Sequence, residues 1–114
     1  MKRRSSRIYL QDILQSIHYI QEFLNGITED EFYSNIEKQD AVLRRLEIIG
    51  EAVKNLPDEL QDNYPEIPWR QIAGMRDFII HKYFGITIEM VWVAAAEELL
   101  DLQSAVLEMI ESES

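Results

Sequence analysis

The stretch from Arg76 to Tyr83 places an arginine, a histidine and a tyrosine within eight residues. Arginine keeps its charge and presents a planar fork of donors that fits a phosphate. Histidine has the unperturbed pKa best suited to proton transfer near neutral pH. A base for a 2′-hydroxyl and a cation for the developing charge are what metal-free cleavage of an RNA phosphodiester needs. Arg76 and His81 are therefore the candidate catalytic residues.

Metal chemistry is disfavoured by the pattern of acidic residues. Glu47 and Glu51 are four positions apart, a spacing that paired carboxylates use in metal-binding bundles. Neither histidine follows a glutamate by three positions, and the chain has no cysteine. We therefore expect no metal and no cofactor. Glu51 is interpreted either as a contact for Arg76, across the bundle or across a dimer, or as a surface carboxylate.

Length and composition indicate one domain over residues 1–114. The absence of cysteine rules out disulfides and agrees with a reducing compartment. The basic start Met1-Lys2-Arg3-Arg4 is not followed by a continuous apolar segment, as a signal peptide would be. No run approaches the roughly 18 apolar residues of a membrane span. We expect a soluble, cytoplasmic protein with no membrane partner.

The formal charge of −10 argues against binding nucleic acid through the overall field of the protein. The charge is unevenly distributed, because residues 97–114 carry six acidic residues and no basic one. A local cluster can still bind RNA in an acidic protein. The candidates for such a cluster are Arg44, Arg45, Arg70, Arg76 and Lys82.

Apolar residues recur at helical spacing along most of the chain. The first stripe, which Asn25-Gly26 should end, consists of Leu10, Ile13, Leu14, Ile17, Ile20 and Leu24. Thr28 and Glu31 fit a capping box at the start of a short helix. The next stripe suits either a bundle core or a dimer seam, and consists of Val42, Leu46, Ile49, Val53 and Leu56.

The second half of the chain predicts a connector and two more helices. The connector, Pro57–Pro68, contains one short helical turn at Asp58–Asp62. A helix should begin near Pro68-Trp69 and carry the Arg-to-Tyr motif as far as Gly85. Thr87 should cap one last long helix, whose inner face is formed by Val91, Ala95, Leu99, Leu102 and Val106. The expected fold is all-α, a compact four- to five-helix bundle that forms a two-fold homodimer.

The spacing of the motif limits what one helix can do. Five positions correspond to about 140° around a regular helix, so Arg76 and His81 do not share a face. A site that uses both requires a bend in the helix or a second copy across a symmetric interface. Arg76 and Tyr83 are seven positions apart and share a face if the helix continues.

The chain resembles the HepT-like family of the HEPN superfamily from about residue 8 to residue 107. The resemblance is carried by three strings in order: Ala41-Val42-x-Arg44-x-Leu46-Glu47-Ile48-Ile49-Gly50-Glu51-Ala52, then Ile67-Pro68-Trp69-x-x-Ile72-Ala73-Gly74-Met75-Arg76-Asp77, then Ile80-His81-x-Tyr83. Asp30-x-Phe32 and Val91-Trp92 look like less distinctive landmarks of the same family.

The resemblance implies a metal-independent ribonuclease toxin that works as a homodimer. In such a protein Arg76 and His81 would be catalytic, in a cleft between two protomers, with RNA such as tRNA rather than DNA as the substrate. It further implies that Tyr83 accepts AMP from a minimal nucleotidyltransferase, the antitoxin partner. AMP would add bulk and negative charge beside the cleft and repel RNA. Asp77 is interpreted as solvated or as orienting His81, and Lys82 as a supporting cation.

Two other interpretations stay open. A non-catalytic helical module could bind a nucleotidyltransferase and hold a nucleotide or other polyanion, which the net charge of −10 favours. A helical dimer could also use Arg76 and His81 only to stabilise its interface. Trp69 and Trp92 are interpreted as core or interface anchors, and His18 as structural.

Overall fold

The computed structural model describes the backbone of residues 5–81 and 87–113 and the side chains of residues 5–75 and 87–112. Most of these residues are helical. In chain order the helices are α1 (Ser6–Leu24), α2 (Glu29–Tyr33), α3 (Ile36–Lys54), α4 (Asp58–Asp62), α5 (Trp69–His81) and α6 (Ile88–Val93), then a π-helical segment (Ala94–Glu98) and α7 (Leu99–Glu113). No strand occurs among these residues, so the predicted all-α class is confirmed.

The ends of the helices follow from side chains that satisfy exposed backbone groups. Thr28 and Glu31 form the predicted capping box, with hydrogen bonds of 3.1 Å and 2.8 Å in the two directions. The Thr87 hydroxyl accepts a hydrogen bond from the Met90 backbone at 3.2 Å and starts α6 as predicted. Gly26 follows α1 with a φ of 81°, a left-handed conformation that glycine adopts without steric cost.

The core forms around α3, which packs against both α1 and α5, while α7 packs against α1. The predicted α3 stripe from Val42 to Leu56 is at most 4% exposed at each of its five positions. The interpretation of this stripe as core is therefore confirmed, and it is not available as a dimer seam. Leu10, Ile13, Ile17 and Ile20 of α1 are also fully buried.

The last predicted helix differs from the structure, because it is interrupted by the π-helical segment Ala94–Glu98. All five predicted inner positions, from Val91 to Val106, are nevertheless buried. Three of the four steps between them are four residues long, and two of these, Val91 to Ala95 and Ala95 to Leu99, follow one another. On a regular helix repeated steps of four rotate away from the core, and a wider π turn absorbs the excess.

Both short helices that the sequence predicts, α2 and α4, are present. The described residues nevertheless form more helices than the four to five predicted, because these two are separate elements and the π-helical segment divides the last one. The protomer measures 44 × 30 × 26 Å along its principal axes. Within the described ranges, no helix has the length and apolar character needed to cross a membrane. The two-fold dimer stays a prediction.

Candidate active site

The position of α5, which carries the candidate motif, is set by hydrogen bonds in the connector before it. The indole N–H of Trp69, the first residue of α5, donates to the carbonyl oxygens of Gln61 at 3.1 Å and Tyr64 at 3.0 Å. The Gln61 side chain in turn donates to the carbonyl oxygen of Val53 at 3.1 Å, near the end of α3. Trp69 is only 8% exposed, which confirms its interpretation as a core anchor. Hydrogen bonds made by the connector, residues 57–68, thus link the end of α3 to the start of α5.

Arg76 and His81 both lie on α5, and the backbone between them is regular α-helix. The bend that would bring them onto one face of a single protomer is absent from this backbone. About 140° of rotation therefore separates their positions around the helix axis. The side chains of Arg76, Asp77 and His81 lie outside the described residues, as do Lys82 and Tyr83 entirely. Their predicted roles stay predictions.

The two glutamates singled out on α3 have different surroundings. Glu47 forms an ion pair with Arg44, with 2.6 Å between Nη1 and Oε1. Glu51 is exposed, and its backbone carbonyl accepts a hydrogen bond from the Asn55 side chain at 2.9 Å. The predicted contact between Glu51 and Arg76 is not tested, because the Arg76 side chain is not described. In the described part of the chain, no three histidine or carboxylate side chains come together as metal ligands would.

An apolar groove of about 790 Å³ runs beside the residues that precede the motif. Gly74 and Met75 of α5 line one side of it, directly before Arg76 in the chain. The other walls come from α3, α6 and the π-helical segment, and include Leu43, Leu46, Met90, Val91, Val93 and Ala94. The groove therefore lies between the helix that carries the motif and the helix that follows it.

The groove presents apolar side chains to its opening and acidic ones at its border. Met90 is 54% exposed and Val93 is 38% exposed. Glu89 and Glu98 also line it and carry negative charge. Among the described residues, and apart from the adjacent backbone of α5, a Cβ atom added at Gly74 would find no heavy atom within 4 Å. Sequence reasoning did not find this groove, although Met90 and Val93 are apolar residues outside the buried stripe of the last helices.

The structure also shows the surroundings of Trp92, His18 and Gly50. Trp92 packs against Phe32, with 5.5 Å between ring centroids, which agrees with its interpretation as an anchor. His18 is exposed on α1. Gly50 is buried on α3, the helix that contacts α1 and α5.

Comparison with known proteins identifies relatives over nearly the whole chain. The model of a family described as "Ribonuclease HepT-like" matches residues 13–109. A protein of Thermococcus cleftensis named "Probable ribonuclease HepT" is 44% identical over 89% of this chain and 92% of its own length. A "Putative RNase" of Caldanaerobacter subterraneus subsp. tengcongensis is 40% identical over 96% of this chain and 98% of its own length.

A longer relative shares the same degree of similarity. It is a protein of Methanocaldococcus jannaschii named "Gamma-glutamylcyclotransferase and putative RNase", which is 44% identical over 96% of this chain. The chain spans about half of that relative, 49% of its length. No solved structure matches the chain at a significant level. The matched residues 13–109 include the whole of α5 and the groove beside it.

Proposed function

We propose that this chain, which belongs to the ribonuclease HepT-like family of RNA-cleaving nucleases, is the metal-independent ribonuclease toxin of a toxin–antitoxin pair. It would act in the cytoplasm as a homodimer of the single domain 1–114, with tRNA as a candidate substrate. The observation that carries the proposal is the family match over residues 13–109, which includes α5 with Arg76 and His81.

The chemistry follows from the residue types. His81 takes the proton from a ribose 2′-hydroxyl, and the 2′-oxygen attacks the adjacent phosphorus. The bond to the 5′-oxygen of the next nucleotide breaks, and that oxygen leaves after taking a proton from water. Arg76 stabilises the charge on the pentacoordinate phosphorus and its oxygens. The expected product ends in a 2′,3′-cyclic phosphate or its hydrolysed form. A second route, with water as the nucleophile, would use the same two side chains.

A homodimer would solve the geometric problem of the motif. Because Arg76 and His81 are about 140° apart on a regular helix, one copy of α5 does not direct both to one phosphate. A two-fold axis near the end of α5 would place the arginine of one copy beside the histidine of the other. The apolar groove beside Gly74 and Met75 supports this arrangement, because it offers a surface for a second copy next to the motif.

Regulation would come through Tyr83 and a partner enzyme. A minimal nucleotidyltransferase would transfer AMP from ATP to the phenolic oxygen of Tyr83 and release pyrophosphate. Tyr83 lies seven positions after Arg76, so the two share a face if the helix continues. The added phosphate would pair with Arg76 and repel the RNA backbone. This part of the proposal rests on family likeness, and Asp77, Lys82 and Glu51 are its proposed supporting residues.

The decisive experiment is incubation of the purified protein with total RNA and with tRNA in the presence of EDTA. The wild type should cleave RNA and His81→Ala should not. His18→Ala is the matched control, because His18 is the only other histidine of the chain and is exposed on α1. Equal loss of activity in both variants, or equal activity in all three proteins, would contradict the assignment of His81. A mass spectrum of each sample excludes AMP on Tyr83 as a cause of inactivity.

A second candidate function is a non-catalytic module that binds a nucleotidyltransferase and a nucleotide or other polyanion. The net charge of −10 and the acidic border of the groove favour it, because both oppose broad RNA binding. It predicts an unmodified, folded wild type that cleaves no RNA but still binds the partner.

A further inference from the structure

Two cations of α3 lie over two aromatic rings of α1 on the surface between these helices. The guanidinium carbon of Arg45 is 4.4 Å from the centroid of the Tyr19 ring. The Lys38 ammonium nitrogen is 5.7 Å from the centroid of the Phe23 ring. The two rings are themselves stacked, with 6.2 Å between centroids and 22° between planes. We call these four side chains the basic–aromatic strip.

The strip is a continuous feature because of helical spacing. Tyr19 and Phe23 are four positions apart on α1, and Lys38 and Arg45 are seven positions apart on α3, so each pair shares a helix face. Seven positions correspond to about 10.5 Å along the axis. The two cations thus lie in a line along the groove between α1 and α3.

The strip is separated from most of the acidic residues around it. The acidic residues of α3 lie roughly 90° or more around its axis from the two cations; they are Glu37, Asp40, Glu47 and Glu51. On α1, Asp12 shares the face of Tyr19 but lies two turns nearer the N-terminus, and Glu22 lies to one side. The strip therefore presents two cations on a face of α3 that holds no acidic residue, on a protein whose net charge is −10.

We propose that the basic–aromatic strip binds a single-stranded segment of the RNA substrate, away from the point of cleavage. Arg45 and Lys38 contact phosphates, and a base stacks on the guanidinium plane that Tyr19 holds. Stacking on arginine planes and aromatic rings, combined with cations along the backbone, is how proteins bind single-stranded RNA without reading its sequence. The proposal rests on the proposed function, because it assigns a second contact for the same substrate.

The Arg45 side chain is held in place by the Tyr19 ring, which distinguishes this site from a freely moving surface charge. An arginine stacked on a ring has already lost much of its side-chain freedom, so less entropy is lost when it binds a phosphate. Tyr19 is 36% exposed, which leaves part of its ring open to a ligand beside Arg45. An acidic peptide would use the two cations but would have no need of the rings. RNA uses both, so RNA is the ligand that the four side chains favour.

The strip also lies apart from the motif. It is on the α1 side of α3, whereas Arg76 and His81 are on α5, which packs elsewhere on α3. A defect in RNA binding at the strip can therefore be measured in a protein whose cleavage is already abolished. His81→Ala provides this background.

The test is fluorescence anisotropy of labelled single-stranded oligoadenylate, and of labelled tRNA, against the full-length His81→Ala protein. Adding Arg45→Gln should weaken binding about tenfold, and Lys38→Gln about threefold, because each removes a phosphate contact. The matched control is Arg44→Gln, which removes the same charge from the next position. Arg44 is a candidate for RNA contact from the sequence, but in the structure its side chain is 68% exposed and pairs with Glu47, about 100° around α3 from Arg45. It should change affinity less than twofold.

Tyr19→Leu tests whether the aromatic ring contributes to RNA binding independently of net charge, because the variant keeps every charge and an apolar side chain at this position. It should weaken oligoadenylate binding three- to tenfold. Arg45→Gln should also lower the slope of log K against log salt by about 0.7, the value for one phosphate of a single strand. Circular dichroism of each variant should show the helix content and thermal transition of the parent protein.

Equal effects of Arg45→Gln and Arg44→Gln would overturn the proposal, since binding would then report only net charge. No effect of Tyr19→Leu, or no binding of either RNA, would also overturn it. Selective loss of binding to an acidic protein segment, with RNA affinity unchanged, would assign the strip to a protein partner instead. A wild type that binds RNA through the strip but cleaves none would retain this inference while refuting the ribonuclease proposal.

Discussion

Arg76 and His81 lie five positions apart on one unbroken helix, α5, so about 140° separates them around its axis. If both side chains act on one phosphate, as proposed, two copies of the helix would supply them better than one. This relationship makes the composition of the site, one protomer or two, the central question about the mechanism. It also makes the question accessible to a simple mixing experiment.

Mixing Arg76→Ala and His81→Ala protomers should restore cleavage that neither variant has alone. If each site combines Arg76 of one protomer with His81 of the other, a mixed dimer contains one intact site and one doubly altered site. An equal mixture with random exchange then yields about a quarter of wild-type activity. The measurement is tRNA cleavage after co-refolding of the two variants.

The matched control for the mixing experiment is a mixture of His81→Ala with the double variant Arg76→Ala/His81→Ala. This mixture cannot form an intact shared site and should stay inactive. If the first mixture is as inactive as the control, each protomer supplies both residues of its own site. The regular backbone of α5 would then have to change when RNA binds.

Several features of this fold were predictable from local chemistry, and others depend on tertiary placement. The capping box at Thr28 and the cap at Thr87 are confirmed, because each depends on residues only three positions apart. The buried stripe of α3 is confirmed because its periodicity directly reports one core face. The π-helical segment was missed, since a stripe with two consecutive steps of four is compatible with a continuous helix as well.

The features of the candidate site likewise divide into those predictable from local chemistry and those that depend on tertiary placement. The motif and its angular problem follow from residue types and spacing. The groove beside Gly74 and the hydrogen bonds of the Trp69 indole join residues from different elements, so periodicity cannot show them. Cation–π contacts such as Arg45 over Tyr19 likewise require the relative placement of α1 and α3.

Gly74→Ala should raise the stability of the protomer and weaken a dimer that uses the groove. An alanine inside a helix is about 1 kcal/mol more favourable than glycine, and among the described residues beyond the adjacent backbone of α5 its Cβ would meet no heavy atom within 4 Å. A second copy packed closely against Gly74 would be displaced by the added methyl group. Urea unfolding at low protein concentration measures the first effect, and sedimentation over a dilution series measures the second.

The contrasting substitution for Gly74→Ala is Gly26→Ala. Gly26 has a φ of 81°, so alanine there should cost about 1–2 kcal/mol and leave dimerisation unchanged. If Gly74→Ala stabilises the protomer without changing the dimer dissociation constant, the dimer interface lies outside the groove.

Ser16→Ala should increase the free energy of unfolding by about 1 kcal/mol. The Ser16 hydroxyl is buried on α1 and has no hydrogen-bond partner among the residues that the structure describes. An unsatisfied buried hydroxyl costs about 1–3 kcal/mol, and alanine also has the higher helix propensity. Chemical denaturation beside Ser104→Ala, an exposed serine on α7, provides the comparison. A loss of stability in Ser16→Ala would mean that the hydroxyl has a partner, such as a bound water.

Tyr33 should titrate at unusually high pH. The hydrogen bond that its hydroxyl donates to the Glu29 carboxylate, together with burial and the Glu29 charge, raises its pKa from 10.0 to about 12. The folded state therefore favours the protonated phenol, so this stabilisation is complete below pH 10 and is lost as the pH rises towards 12. Absorbance of tyrosinate, compared between wild type and Tyr33→Phe, isolates the transition. Glu29→Gln should move it back towards 10, and an unchanged transition would exclude Glu29 as the cause.

Trp69→Phe should destabilise the start of α5 more than Trp92→Phe destabilises the last helices. The phenylalanine keeps the ring in the core but removes the N–H that bonds the carbonyl oxygens of Gln61 and Tyr64. Each oxygen keeps one backbone donor, Tyr64 N–H for Gln61 and Ile67 N–H for Tyr64, but losing the indole bond should still cost about 1 kcal/mol and lower Tm by a few degrees. Trp92→Phe keeps a ring against Phe32 and should cost less. Hydrogen exchange would locate the effect, with faster exchange over residues 57–75 in Trp69→Phe alone. Similar losses in both variants would show that ring volume, rather than the indole N–H, holds α5 against the connector.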